Sequence, residues 1–436
     1  MEKRYSYWSI EVFYLIFCVL LLARPAVFLS NMDPRSNLLG AILEIIPCLI
    51  LCYKHKISIN YKLLYVFAGL AVWTILHFIL DGDKKVLQYV QLYINLYIAY
   101  VLVRVFREDL FGYFWRVVTA LTALDVVLWG VLHVVNVNTV VSMGLFEPAS
   151  TTSSASFLLF NTPALDRYEG EGLYGLMRNC GFAWEPGLFG SIVVMALFFN
   201  LREYGYSLHK NIAAWILLLG VFSSFSTTAY STIFVLILCR VWWATRERPT
   251  LYKFVSGLLL IPVIVTIVGL PFMQEKVLKE MDSDEYPSQN VEYLMQIDDS
   301  DGLITVQRFE GLWLDYQNFI HAPILGYGFN RENSYVYKEY SPILLTSNAI
   351  TSVLAMWGII YTIFIVFLFI QGSKWLRTSA PESKNSLFLV FISISVSYNL
   401  LTLPITLSMF LFPILNTRTG EEEDYQEENY LKFEEL

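Results

Sequence analysis

Charge is scarce in this 436-residue chain: Asp, Glu, Lys and Arg supply 16% of residues, against roughly 25% in soluble domains. Hydrophobic residues supply 56%, with a mean hydropathy of +0.51, and that balance excludes a soluble enzyme. The five cysteines are scattered: Cys18, Cys48, Cys52 and Cys239 lie in or at the ends of apolar segments, and Cys180 stands alone in a loop. Such spacing gives neither a disulfide framework nor a metal-ligand set. The first apolar segment lacks a small-residue cleavage site, so it is expected to persist as a helix and not to be removed as a signal peptide. No internal repeat is evident, and with a net charge of −8 nucleic-acid binding has no support. Much of the acid is confined to residues 272–345 and to a tail from Glu421 onward, so global charge says little about partners.

Apolar runs of about 20 residues are abundant, the length an α-helix needs to cross ~30 Å of hydrocarbon. An outer-membrane β-barrel, built from ~10-residue alternating strands, does not fit them. The expected fold is all-α: a polytopic membrane protein of about 12 transmembrane helices. They fall near 8–29, 37–53, 61–80, 86–103, 111–136, 186–201, 211–223, 228–244, 252–271, 346–370, 386–403 and 404–416. Residues 1–416 form one transmembrane domain and 417–436 an acidic cytoplasmic tail. One set of short connections carries Lys3, Arg4, Lys54, Lys56, Arg104, Arg107, Arg202, Lys210, Arg240 and Arg246 among others, and the alternate set only Arg35, Lys84 and Lys85. The positive-inside rule then puts both termini in the cytoplasm. Two long connections, 137–185 and 272–345, fall outside. In the second, between the ninth and tenth helices, Phe309, Leu312, Trp313, Tyr316 and Phe319 recur at helical spacing, so a helix lying over the membrane mouth is expected. The stretches at 281–290 and 298–301 are acidic and read as solvated.

Three segments carry candidate chemistry. In RNCGFAWEPGLFG at 178–190, Pro186 suits a first helical turn and Glu185 a helix N-terminus, so a plain helix start accounts for the Glu-Pro pair. It does not account for Arg178 upstream among glycines, and an ionisable residue at membrane depth is a functional candidate by default. In QRFEGLWLDYQNFIHAPILGYGFN at 307–330, an amphipathic helix resting on the bilayer with Arg308 snorkelling is the bland reading. In LTSNAITSVLAMWGII at 345–360, Ser347 or Asn348 can serve as an N-cap. Inside the apolar segments, Arg24, Glu44 and Asp125 either line a water-filled cavity or form helix-packing ion pairs.

In this order and on these connections, the three segments resemble the O-antigen polymerase and ligase superfamily of bacterial polysaccharide assembly. The likeness spans about residues 175–370 and rests on the Arg-x-x-Gly-aromatic-x-x-Glu-Pro-Gly run, the Ser-rich helix end from Phe222 to Thr228, the Arg-x-x-x-x-Trp run leading into Pro-x-x-Gly-x-Gly, and the polar helix opening before an aromatic-Gly-Ile turn. Two departures stand out: Ser226-Thr227 replaces a common Ser-Arg, and Ser347-Asn348 replaces the His-Asn of the ligases. The second favours a polymerase.

The resemblance implies a glycosyltransferase in the bacterial cytoplasmic membrane that moves a glycan from a polyprenyl diphosphate carrier to a sugar hydroxyl of another lipid-linked repeat unit. It implies Arg178 and Arg308 as diphosphate ligands, because guanidinium groups match phosphate oxygens bidentately and stay charged. Glu185 is the expected base, with His321 a second candidate. Asn348, Tyr327, Trp313 and His321 are expected to contact substrate, although interfacial aromatic belts give the same composition. No cofactor or metal is expected, the arginines standing in for a cation. The lipid bilayer, a chain-length regulator and a flippase of the same pathway are the implied partners. A ligase with another acceptor, and a lipid-linked glycan flippase or transporter, are the alternatives.

Overall fold

The computed structural model describes residues 5–6, 8–23, 38–80, 85–134, 147–149, 154–157, 160–162, 178–205, 208–246, 248–249, 304–306, 308–346, 349–379, 386–398 and 400–415. Helices dominate: α1 Ile10–Ala23, α2 Leu38–His55, α3 Tyr61–Leu80, α4 Val86–Phe106, α5 Leu110–Val134, α6 Pro186–Tyr204, α7 Ile212–Ser223, α8 Thr227–Thr245, α9 Arg308–His321, α10 Tyr335–Glu339, α11 Ala349–Ser379, α12 Ser386–Ser395 and α13 Pro404–Leu415. Each expected apolar segment that falls among the described residues contains a helix, but the one at 386–403 is helical only over Ser386–Ser395, too short to cross the bilayer by itself. The expected helix at 252–271, most of the long connections and the tail lie outside them.

Five stretches among the described residues are long and apolar enough to cross a membrane: Tyr61–Leu80, Val86–Val131, Pro186–Tyr204, Thr227–Thr245 and Ile350–Gly372. The second is divided by Arg107, whose φ of 51° ends α4 and lets α5 begin after a short turn. The strands are brief. β1 Glu147–Ala149, β2 Ser154–Phe157 and β3 Phe160–Thr162 form an antiparallel sheet in the first long connection. β4 Ile304–Thr305 pairs in parallel with β5 Leu344–Leu345 and thereby closes the segment that holds α9 and α10.

α6 is the centre of the bundle. It is buried around its circumference from Pro186 to Leu201, as a helix without a polar face must be. Its neighbours α5, α7 and α8 come close through small residues: a Cβ at Gly190 would stand 2.5 Å from Ala229 Cβ. Where lipid tails are as apolar as the helix faces, such close packing supplies the association that hydrophobic burial supplies in water.

Polar contacts sort the helix ends. Glu11 at the start of α1 pairs with Lys54 at 2.7 Å and His55 at 2.8 Å at the end of α2. The Tyr5 hydroxyl donates to Val105 O near the end of α4, and Trp115 and Arg116, early in α5, both reach Glu203 at the end of α6. Asn211 before α7 donates to Asn200 at 2.7 Å. These ends share one face of the bundle, and they carry the basic residues expected on the cytoplasmic side. The opposite end gathers the start of α6, the end of α7 and the end of α1, where Trp184 N–H donates to Ala23 O at 3.3 Å.

Candidate functional site

Residues 178–185 lie at that opposite end, where Asn179 ties them to two helices. Asn179 Nδ2 donates to Asp125 Oδ2 on α5 at 2.8 Å and to Ser223 Oγ at the end of α7 at 2.9 Å. Its backbone N–H donates to Ser223 O at 2.9 Å, and its Oδ1 accepts from Gly181 N–H at 2.9 Å. Gly181 has φ +54°, and any side chain there would strike the Phe189 ring. The knot gives Asp125 a neutral hydrogen-bonding partner. Glu44 likewise accepts from Gln91, which also donates to Asn95 Oδ1 at 2.9 Å; Arg24 lies outside the described residues.

The loop so fixed brings two candidates together. Arg178 is 6% exposed and Glu185 half-buried, and both act on Cys180 between them. Burial pushes the Cys180 thiol up, the Arg178 guanidinium opposes that, and Glu185 and Asp125 add to it. Arg178 also lies within electrostatic reach of Tyr230 on α8. Glu185 holds the position before α6 with extended backbone (φ −147°, ψ 156°), and Pro186 follows in the first turn, yet the Glu185 side chain makes no capping hydrogen bond. The helix-start reading therefore accounts for Pro186 better than for the Glu185 carboxylate. Around the same helix start, a side chain at Gly187 would collide with the Tyr398 hydroxyl and approach Ser226 Oγ to 3.2 Å.

The second and third segments meet at a break in α11. Gly358 has φ 71° and ψ 178° inside that helix, and its neighbours exchange partners with the Pro-x-x-Gly-x-Gly segment. Ile359 N–H, which an unbroken helix would direct to Ala355 O, donates to Pro323 O at 2.9 Å. Ala355 O accepts instead from Tyr327 N–H at 3.2 Å, and Met356 O from Gly328 N–H at 2.8 Å. From α3, His77 Nε2 donates to Leu325 O at 3.0 Å. Non-helical backbone at membrane depth is tolerated where protein satisfies it, and here the docked segment does so. Below the break, Trp73, Phe329, Trp357 and Tyr361 pack ring against ring, with Trp357 and Tyr361 centroids 4.0 Å apart.

α9 forms where expected, but its protein-facing side differs from the aromatic stripe. Glu310, Gly311, Leu314, Asp315 and Asn318 are buried, whereas Leu312, Tyr316 and Ile320 are exposed. Leu312 and Tyr316 of the stripe thus face outward, where an amphipathic helix at a bilayer surface presents apolar residues, Trp313 and Phe319 are half-buried, and the inward side is fixed by polar contacts. Asn318 Oδ1 accepts from Val336 N–H at 2.9 Å, and Asp315 Oδ2 accepts from Thr351 Oγ1 of α11 at 2.6 Å. Trp313 packs edge-on to Tyr340, centroids 5.3 Å apart, over a small core of Val306, Leu314, Val336 and Leu344.

Other expected contacts are partly occupied. His321 is exposed; its Nδ1 donates to Gln317 O at 2.8 Å, and one ring face is covered by Tyr335 at 3.5 Å. Tyr327 is half-buried, and burial together with nearby Asp315 pushes its phenol up while Arg331 opposes the shift. Arg308 is the first residue of α9, with its side chain outside the description, and Ser347 and Asn348 lie outside the described residues. Sequence reasoning missed Asn179 and Asp315. Asn179 offered one signal, a polar residue directly after the candidate arginine. Asp315 offered only its seven-residue spacing from Arg308.

Comparison with known proteins is negative: no family model matches the chain and no curated protein matches it.

Proposed function

We propose that this chain is a membrane glycosyltransferase that polymerises lipid-linked glycan repeat units on the outer face of the bacterial cytoplasmic membrane, with both termini in the cytoplasm. The observation that carries the reading is the Arg178–Glu185 loop. A buried guanidinium and a half-buried carboxylate lie on one loop, tied down by Asn179, at the start of the central helix and at the end of the bundle opposite the basic helix termini.

In the reaction so drawn, Arg178 and Arg308 bind the diphosphate of the donor lipid through paired N–H donors. The acceptor hydroxyl oxygen attacks the anomeric carbon, and the bond from that carbon to the diphosphate oxygen breaks. Its electron pair leaves with the polyprenyl diphosphate, and the hydroxyl proton passes to Glu185. Guanidinium groups stabilise the charge that develops on the departing diphosphate. Asn348, Tyr327, Trp313 and His321 contact the sugars, and a chain-length regulator and a flippase are the protein partners of such an enzyme. Purified protein given lipid-linked repeat units should yield polymer on a gel, with turnover unchanged by a chelator. Undocked polymer accumulating in a deletion strain would instead identify a ligase, and unchanged sugars with altered uptake a transporter.

A further inference from the structure

Asp315 has no part in the reaction drawn above, yet it is 1% exposed at the interface between α9 and the first half of α11. Thr351 Oγ1 donates to Oδ2, Thr346 also lies against the carboxyl, and Oδ1 is buried without a hydrogen-bond partner among the described residues. A buried carboxyl with so few donors is favoured in its neutral form; once ionised, it is better accommodated where water can reach it. The two protonation states of Asp315 therefore favour two placements of α9. Position 308 lies seven residues, two helical turns, before 315 on the same side of the helix, so the seating of Asp315 also sets where Arg308 stands.

We propose that Asp315 is a positioning residue: its neutral carboxyl seats α9 on α11, and its ionisation lets α9 lift and carries Arg308 away from the mouth. The role given to Arg308 rests on the polymerase reading, whereas the seating of α9 does not. Among the described residues, few other charges act on the carboxyl. Residues 349–357 of α11 contain no titratable group. The connection after α9 contributes Tyr327, which interacts with Asp315, and Arg331, which interacts with Tyr327. α10 and its flanks carry Glu332, Tyr335, Tyr337, Lys338, Glu339 and Tyr340, and α9 itself Arg308, Glu310, Tyr316 and His321.

Burial pushes the seated carboxyl up to about 7, and the lifted form returns it to the ordinary value near 4. Seating is then complete below about 4, weakens by up to about tenfold per pH unit between those values, and is level above the upper one. Hydrogen exchange of the 308–321 peptide at pH 5, 6, 7 and 8 tests this, with Asp315→Asn as the comparison, because the ratio of the two chains at each pH cancels intrinsic exchange. The amide keeps the shape of the neutral acid, so the ratio of wild-type to variant exchange should climb from pH 5 to 7 and then level off. A ratio independent of pH overturns the proposal. So does failure of Asp315→Asn to accumulate in the membrane, since the neutral form is the one said to be seated. Turnover measured alongside should fall over the same range in wild type and stay flat in the variant. Intact exchange behaviour with no polymer at any pH would fail the polymerase reading alone.

Discussion

At the residue scale, Glu185 and Arg178 ask for different tests because the loop holds them differently. Glu185 precedes α6 without a capping hydrogen bond to it, so its contribution as a helix start is a charge–dipole contact worth about 0.3–1 kcal/mol, and Gln keeps its size and hydrogen-bonding shape. Stability of the solubilised protein should barely move. Turnover should fall by about 100-fold or more if the carboxylate takes the acceptor proton, with donor lipid still bound; an active Glu185→Gln returns the residue to helix-start duty. Arg178 is buried beside Cys180 and Tyr230. Arg178→Ala should abolish polymer at an unchanged protein level, and Arg178→Lys should recover little, because a point charge lacks the fork that engages two phosphate oxygens. Full rescue by Lys would reduce the role of Arg178 to simple charge.

At the element scale, the docked segment and the broken helix depend on each other through Gly358. Its φ and ψ lie in a region open essentially to glycine, and a Cβ there would run into the Ile324 carbonyl. Gly358→Ala should cost about 1–3 kcal/mol from backbone strain and release the hydrogen bonds to Pro323, Tyr327 and Gly328. A lower thermal midpoint and new protease sensitivity over 322–330 are the expected readouts; an unaltered midpoint would mean that the break is fixed elsewhere. This junction also marks the limit of what the sequence discloses. Helix positions were legible because membrane solvent demands long apolar runs, and Pro186 marked the start of α6 through its missing N–H. Hydrophobic periodicity did not reveal the break in α11, since the apolar pattern continues through Gly358; only the resemblance marked an aromatic-Gly-Ile turn there, and the partner segment some 30 residues upstream supplies the reason for it. Asp315 was hidden for a related cause: the aromatic spacing of α9 says nothing of it, and the polar contact that buries it comes from α11.

At the scale of the whole molecule, the reading depends on which end of the bundle faces the cytoplasm. The contacts of Glu11 with Lys54 and His55, and the ion pair of Arg116 with Glu203, gather the basic helix termini at one end, whereas the Arg178–Glu185 loop and the docked segment sit at the other. A diphosphate-linked glycan exported before polymerisation is accessible only from outside, so orientation and chemistry stand or fall together. Exposed Glu332 lies in the segment with α9, and exposed Arg248 follows α8 near the basic end. In a chain freed of its five native cysteines, Glu332→Cys should react with a membrane-impermeant thiol reagent in intact cells whose outer barrier is open to it. Arg248→Cys should react only after the cytoplasmic membrane is permeabilised. The positive-inside bias fixes the direction of this outcome, and the inverse pattern would leave Arg178 and Glu185 facing a compartment without the exported donor, removing the glycan-polymerising assignment whatever the behaviour of single variants.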